Sequence, residues 1–138
     1  MASPSYVKLK DILADSSTIA VIGASPNPIR PSNWISQFLM KRGYKVFPVN
    51  PGHDELYGLK CYPSLSDIEE QVDVVNIFRR SNAVPSIIDA AIERGDIKLI
   101  WMQDNVYHPV AAKLAQKNGI PTIMDDCIYR FLNRAGVD

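Results

Sequence analysis

The sequence has few of the features that mark several classes of protein. It carries only two cysteines, Cys61 and Cys127, which lie far apart and form no Cys-x-x-Cys pair. This argues against a disulfide scaffold or a structural zinc site, and it is typical of a reducing compartment. Fifteen basic residues balance fifteen acidic residues. Net charge therefore gives no reason to expect nucleic acid or an anionic membrane surface as a partner.

Long apolar runs and metal-binding spacings are also absent. No run is long enough to span a bilayer, and residues 1–8 lack the apolar core of a signal peptide. His53 and His108 have no cysteine or carboxylate spaced around them for a metal site. We therefore expect a cytoplasmic protein without a metal. Its 138 residues, 46% of them hydrophobic, predict one domain over residues 1–138 with a full core.

Helix and strand signals alternate along the whole chain. Apolar runs predict five strands, at about residues 18–23, 44–50, 72–78, 98–103 and 120–124. Helical patterns fall at about residues 6–14, 32–42, 64–71, 85–94, 109–118 and 127–134. This alternation predicts an α/β, Rossmann-like fold, with a doubly wound parallel five-stranded sheet between two helical layers (αβα). We expect the strand order 3-2-1-4-5, with the ligand crevice between the first and fourth strands at their carboxyl ends.

The end of the first predicted strand is the most informative stretch. The apolar run ends in Gly23-Ala24-Ser25, and a proline-stiffened loop leads to a helix that we expect Ser32 or Asn33 to cap. Strand, glycine turn and helix together are typical of a site for a nucleotide phosphate, because the helix N-terminus offers unpaired N–H groups. The loop and helix start add side-chain donors and one cation: Ser25, Asn27, Ser32, Asn33 and Arg30.

The turn and the end of the second strand lack residues that a dinucleotide-binding site requires. A dinucleotide site requires three spaced glycines and an acidic residue at the end of the second strand. Only Gly23 is present, and the second strand ends in Asn50. Both differences count against NAD. A small NAD(P)-dependent oxidoreductase is the alternative hypothesis, although Tyr129-Arg130 does not supply the Tyr/Lys pair that such an enzyme would need. A third reading is an interaction module with a vestigial nucleotide pocket.

Six segments occur in the order seen in one protein family. They read VIGAS (21–25), GYKVFPVNP (43–51), YPSL (62–65), VVNIFRRS (74–81), WMQ (101–103) and MDDCI (124–128). In these six segments and their order, the chain resembles the small stand-alone CoA-binding proteins and the N-terminal CoA-binding domain of the succinyl-CoA synthetase α subunit. Two places depart from the family pattern at the expected rim of the ligand site, Asp104-Asn105 and Asp126.

The resemblance implies coenzyme A, or an acyl-CoA, as a small-molecule ligand, and no catalytic residue is expected. It implies that the turn from Gly23, Ala24 and Ser25 to Arg30 holds phosphates. Val49, Asn50 and Pro51 would line the adenosine side, and Phe78, Arg79 and Arg80 would close over the ligand. Gln103, a polar residue that ends an apolar strand, and Cys127, at the start of the last helix, are added as candidate ligand contacts. The chain could act as a homo-oligomer or within a larger assembly.

Overall fold

The computed structural model describes residues 4–136. Its strands are β1 (Thr18–Ile22), β2 (Lys45–Val49), β3 (Glu55–Leu56), β4 (Leu59–Lys60), β5 (Val74–Ile77), β6 (Leu99–Met102) and β7 (Thr122–Ile123). Its α-helices are α1 (Tyr6–Ala14), α2 (Pro31–Lys41), α3 (Val84–Arg94), α4 (Pro109–Lys117) and α5 (Ile128–Ala135). Five strands form one parallel sheet in the order β2-β1-β5-β6-β7, while β3 and β4 form a separate hairpin.

The sheet separates two apolar cores, one on each face. The core under α1, α2 and α5 contains Leu39, Trp101 and Leu132. The opposite core, under α3 and α4, contains Ile88 and Ile100. Successive residues of each strand contribute to opposite cores, because side chains along a strand point alternately to its two faces. The predicted α/β class, five-stranded sheet and three-layer arrangement are confirmed.

The predicted strand order was wrong. Counted along the chain, the five sheet strands lie in the order 2-1-3-4-5, so the third strand, β5, pairs with β1. Pro48 in β2 explains the difference: its carbonyl faces the outer edge and accepts the Tyr62 N–H at 2.9 Å. Because proline has no N–H, another strand on that side would lose a ladder bond, and β2 is an edge strand. In a doubly wound sheet the ligand crevice forms where the strand order reverses. That point therefore lies between β1 and β5.

Two local predictions also need correction. The helix expected at residues 64–71 is only a short 3₁₀ turn, Leu65–Asp67. Helix α2 begins at Pro31 after Arg30, without a side-chain cap, and Ser32 and Asn33 are buried in its first turn. Pro31 needs no cap for its own nitrogen and has a backbone angle already suited to a helix start.

The amino ends of the central strands are joined through the buried carboxylate of Asp73. Its Oδ2 accepts the Ser17 N–H at 2.7 Å, and its Oδ1 accepts Gln71 Nε2 at 2.9 Å. Its backbone carbonyl accepts the Lys98 N–H at 2.7 Å. Burial alone would raise the pKa of Asp73, but the hydrogen bonds from Ser17, Gln71 and Thr18 to its carboxylate and the nearby Lys98 ammonium hold this pKa below its ordinary value of 3.8.

We predict that Asp73→Asn lowers the free energy of unfolding at pH 7 by about 1–3 kcal/mol, the cost of a disrupted buried hydrogen-bond network. The depressed pKa means that the carboxylate stabilises the fold above pH ~4. This contribution is lost as pH falls through the folded-state pKa. Urea denaturation should therefore show the variant approaching the wild type as the pH is lowered below about 4.

The matched control is Asp15→Asn, because Asp15 faces the same Lys98 ammonium with its side chain 87% exposed. That change should alter stability by less than about 0.5 kcal/mol, as surface substitutions usually do. A deficit for Asp73→Asn that stays the same at pH 7 and at low pH would contradict the assigned role of its charge.

Candidate functional site

A cavity of about 740 Å³ opens at the carboxyl ends of β1, β5 and β6. Its size suits a small-molecule or cofactor ligand. Most of the predicted site residues line it, namely Gly23, Ala24, Ser25, Arg30, Ser32, Asn50, Phe78, Gln103 and Cys127. Most of the residues predicted from the sequence therefore lie at the crevice that the strand order creates, at this edge of the sheet.

Gly23 brings the turn after β1 against the end of β5. Its φ is +88°, and a Cβ atom there would lie 2.9 Å from the carbonyl oxygen of Phe78 and 3.0 Å from Cδ of Arg79. A Cβ would meet backbone at less than normal contact distance, and the positive φ is already unfavourable for other residues. Only glycine allows this close approach.

The turn itself uses much of its own hydrogen-bonding capacity. The N–H groups of Gly23 and Ala24 both donate to the carbonyl of Val49, at 3.0 and 3.2 Å. These two donors are therefore committed to the fold. The N–H groups of Ser25 and Ser32 have no partner among residues 4–136, since Ser32 lies in the first turn of α2. Both residues line the cavity, so these two donors are available at its wall.

Three side chains hold the loop between β1 and α2. Asn33 Nδ2 donates to the carbonyl of Ser25 at 3.0 Å, and Asn50 Nδ2 donates to the carbonyl of Ala24 at 2.8 Å. The Tyr57 hydroxyl donates to the same Ser25 carbonyl at 2.7 Å. Asn33 and Asn50 were predicted as ligand contacts, and in the structure their amide nitrogens hold the loop instead of standing free.

Tyr57 was not among the residues predicted from the sequence. It occupies the tip of the β3–β4 hairpin with Gly58, and both residues have positive φ, +58° and +74°. Two such residues form the turn that best fits the twist of a two-residue hairpin. Burial raises the pKa of the Tyr57 phenol, so its hydroxyl stays protonated and donates at neutral pH. A Tyr-Gly pair between two short extended segments was the available signal.

A second cavity, of about 380 Å³, lies near the first and contains other predicted residues. Val49, Pro51 and Arg79 line it. Arg79 packs over Gly23, which lines the first cavity, so the two cavities lie on either side of this contact. The remaining predicted residues, Asn27, Asn33 and Arg80, line neither cavity.

Gln103 is a buried polar group at the cavity wall. Its Oε1 accepts the Ile128 N–H at 2.9 Å and Asn76 Nδ2 at 3.2 Å. Because a backbone N–H must meet an oxygen, this pairing fixes the orientation of the amide. The Nε2 group is left without a protein partner among the residues that the structure describes, while the residue is only 4% exposed.

Three residues of the cavity wall, Trp34, Tyr129 and Arg130, were not among the predicted ligand contacts, whereas Asp104 lines the cavity as expected of the rim. Arg130 of α5 donates two hydrogen bonds to the carboxylate of Asp104, at 2.8 and 2.7 Å. Those bonds hold the pKa of Asp104 below its usual range, and the pKa of Arg130 is raised in return. Trp34 and Tyr129 meet edge to face with ring centroids 5.1 Å apart and add an aromatic wall.

Residues 4–136 lack the features of two other classes of site. Within that range no group of three or more histidine, cysteine or acidic side chains is arranged to hold a metal ion. No helix in the described part of the chain is both long enough and apolar enough to cross a membrane.

The chain is similar to a known protein family, to a bacterial relative and to a solved structure. The profile of a family described as "CoA binding domain" matches residues 17–132. The uncharacterized protein YneT of Bacillus subtilis is 38% identical over 128 residues, which cover 93% of this chain and 94% of that protein. A hypothetical protein from Pyrococcus horikoshii has the same fold, with a TM-score of 0.91 and 35% identity, over 96% of this chain and 92% of that one.

Longer relatives contain the domain as a small part. An ADP-forming acetate–CoA ligase II of Archaeoglobus fulgidus is 37% identical over 89 residues, 63% of this chain. The match spans only 13% of that enzyme. A dinucleotide-forming acetyl-coenzyme A synthetase from Candidatus Korarchaeum cryptofilum gives a TM-score of 0.68 at 34% identity, over 77% of this chain and 25% of that one.

We predict that Gly23→Ala lowers the free energy of unfolding by about 1–3 kcal/mol, since it adds steric overlap to an unfavourable backbone angle. Gly119→Ala is the matched control, because Gly119 has a similar φ of +82° and an added Cβ would meet nothing within 4 Å. Thermal or urea denaturation should show the larger loss at Gly23. Equal losses would mean that the contact with Phe78 carries no cost of its own.

Proposed function

The chain belongs to the CoA-binding domain family, and from that premise we propose that it binds coenzyme A, or an acyl-CoA, across the two cavities on either side of Gly23. The observation that carries the proposal is that Arg79, which lines the smaller cavity, packs on Gly23, which lines the larger one. A ligand with phosphates at its middle and a different group at each end fits two neighbouring cavities separated by a close-packed glycine turn. Coenzyme A has that shape, with adenosine at one end and a pantetheine arm at the other.

The phosphates would lie beside the Gly23 turn. The unpaired N–H groups of Ser25 and Ser32, beside the N-terminal end of α2, would donate to a phosphate there. Arg30 lines the large cavity and Arg79 the small one. Neither arginine forms an ion pair within residues 4–136, so both cations are available to phosphate.

The two ends of the ligand would differ in surroundings. The adenosine would lie in the smaller cavity, beside Val49 and Pro51. The pantetheine arm would run through the larger cavity, along Trp34 and Tyr129 and towards Gln103. An arm of alternating methylene and amide groups matches a wall that is aromatic on one side and offers a free amide donor on the other.

An NAD-like dinucleotide fits the same edge of the sheet less well. Asn50 stands where an acidic residue would bind a ribose diol. Both halves of its amide are occupied, by the carbonyl of Ala24 and by the Gly52 N–H, each at 2.8 Å. The proposal concerns binding alone, because the chain spans about a tenth of the ligases that it matches, and the activity in their names belongs to those whole proteins.

Thermal denaturation with a panel of ligands tests the choice of ligand. Coenzyme A at about a hundredfold over its dissociation constant should stabilise the fold by about 2.7 kcal/mol, and acetyl-CoA should act similarly. NAD, NADP and ATP at the same concentration should act more weakly. Stabilisation by NAD or NADP alone would favour the oxidoreductase reading, and no stabilisation by any of them would favour the vestigial pocket.

Alanine variants of the arginines test the phosphate site. Arg30→Ala and Arg79→Ala should each weaken binding of coenzyme A by about 1.5–3 kcal/mol, the range for a charge-assisted hydrogen bond. Arg80→Ala is the matched control, since Arg80 likewise forms no ion pair within residues 4–136 but lines neither cavity. Titration calorimetry at fixed ionic strength measures all three.

Dephospho-CoA assigns the arginines to particular phosphates. Whichever variant has lost the contact to the 3′-phosphate should bind dephospho-CoA and coenzyme A about equally. Unchanged affinity in both Arg30→Ala and Arg79→Ala would remove the arginines from the site and leave the N–H groups of Ser25 and Ser32.

A further inference from the structure

The large cavity contains a thiol that the binding proposal does not use. Cys127 lines the cavity although the residue is only 4% exposed. It precedes Ile128, whose N–H donates to Gln103 at 2.9 Å, and Cys127 and Gln103 both line this cavity. We propose that Cys127 exchanges with the disulfide of coenzyme A and holds one CoA as a mixed disulfide. This inference rests on the proposed binding of coenzyme A.

Gln103 offers a free donor at this wall. It is a polar residue more than nine-tenths buried, with its Oε1 occupied twice and its Nε2 without a protein partner in the described part of the chain. The Nε2 atom itself is not fully buried, so this donor is open to the cavity and can meet an acceptor from a bound ligand. An amide carbonyl of a pantetheine arm is such an acceptor. An arm held there would bring its terminal sulfur towards the adjacent thiol.

The charges around Cys127 oppose one another. The Asp126 carboxylate accepts the Cys127 N–H at 2.7 Å and also faces the Arg130 guanidinium at 3.4 Å, so groups of both signs lie beside this residue. Selectivity would come from the bound nucleotide, which raises the local concentration of the reacting disulfide.

The chemistry is a thiol–disulfide exchange in which atoms and electrons balance. Cys127 gives its proton to solvent, and its thiolate attacks one sulfur of CoA disulfide. A bond forms between Cys127 Sγ and that sulfur while the sulfur–sulfur bond of the CoA disulfide breaks. The second CoA leaves as a thiolate and takes a proton from solvent. CoA disulfide is the oxidant, and free thiol reverses the step.

Intact-mass measurement after incubation with CoA disulfide tests the proposal. Wild-type protein should gain one CoA less two hydrogens, Cys61→Ser should do the same, and Cys127→Ser and Cys127→Ala should gain nothing. Cys61 is a close control because it is also free and 4% exposed but does not line the cavity. Burial raises the pKa of the Cys61 thiol, so a kinetic control is needed as well.

Pantethine provides that control, because it presents the same disulfide and arm without the nucleotide. Exchange at Cys127 should be at least about tenfold faster with CoA disulfide than with pantethine at equal concentration, owing to the raised local concentration. The rate should saturate and should fall when adenosine 3′,5′-bisphosphate is added. Equal rates with the two disulfides, an adduct on Cys61, or no adduct would each overturn the proposal.

Calorimetry with reduced coenzyme A separates this inference from the binding proposal. If wild type and Cys127→Ser both bind coenzyme A but the wild type forms no adduct, only the exchange is wrong. If neither binds coenzyme A and CoA disulfide reacts no faster than pantethine, both proposals fail.

Discussion

The close approach of two backbones at Gly23 is the constraint on which the site depends. Parallel pairing places Ile22 beside Ile77, and the Phe78 N–H donates to the Ile22 carbonyl at 2.9 Å. The chain must then leave β1 past the Phe78 carbonyl, with no room for a Cβ. That requirement selects glycine, fixes the direction of the following loop and brings Arg79 over the turn. The Arg79 side chain that lines the smaller cavity is thereby held beside the glycine that lines the larger one.

Polar residues at the site divide into those that hold the loop and those that are free. The amides of Asn33 and Asn50 and the hydroxyl of Tyr57 bind loop carbonyls and so set the shape of the cavity. Arg30 and the Gln103 Nε2 group line the same cavity with no such commitment. Residue type alone does not separate these roles, because an asparagine can brace a loop or bind a ligand with the same atoms.

Features encoded by neighbouring residues were predictable, and features that depend on distant packing were not. The bounds of α1, residues 6–14, follow from local pattern and were predicted correctly. The turn at Gly23 and the polar end of β6 at Gln103 were also local signals. The strand order was missed although Pro48 marked an edge. Trp34 and Tyr129 enter the site only because α2 packs against α5, and no local pattern indicates that pairing.

The two departures from the family pattern explain one another in the structure. Asp104 follows β6 and Asp126 precedes α5, and both carboxylates face the guanidinium of Arg130. The pair with Asp104 joins two segments of the rim and neutralises a cation that would otherwise compete for phosphate. A positive charge beside a cavity is thus not by itself an anion site, because carboxylates that already pair with the cation weaken its attraction for an added anion. The phosphate site is consequently expected on the opposite side, where Arg30 and Arg79 have no such partner in residues 4–136.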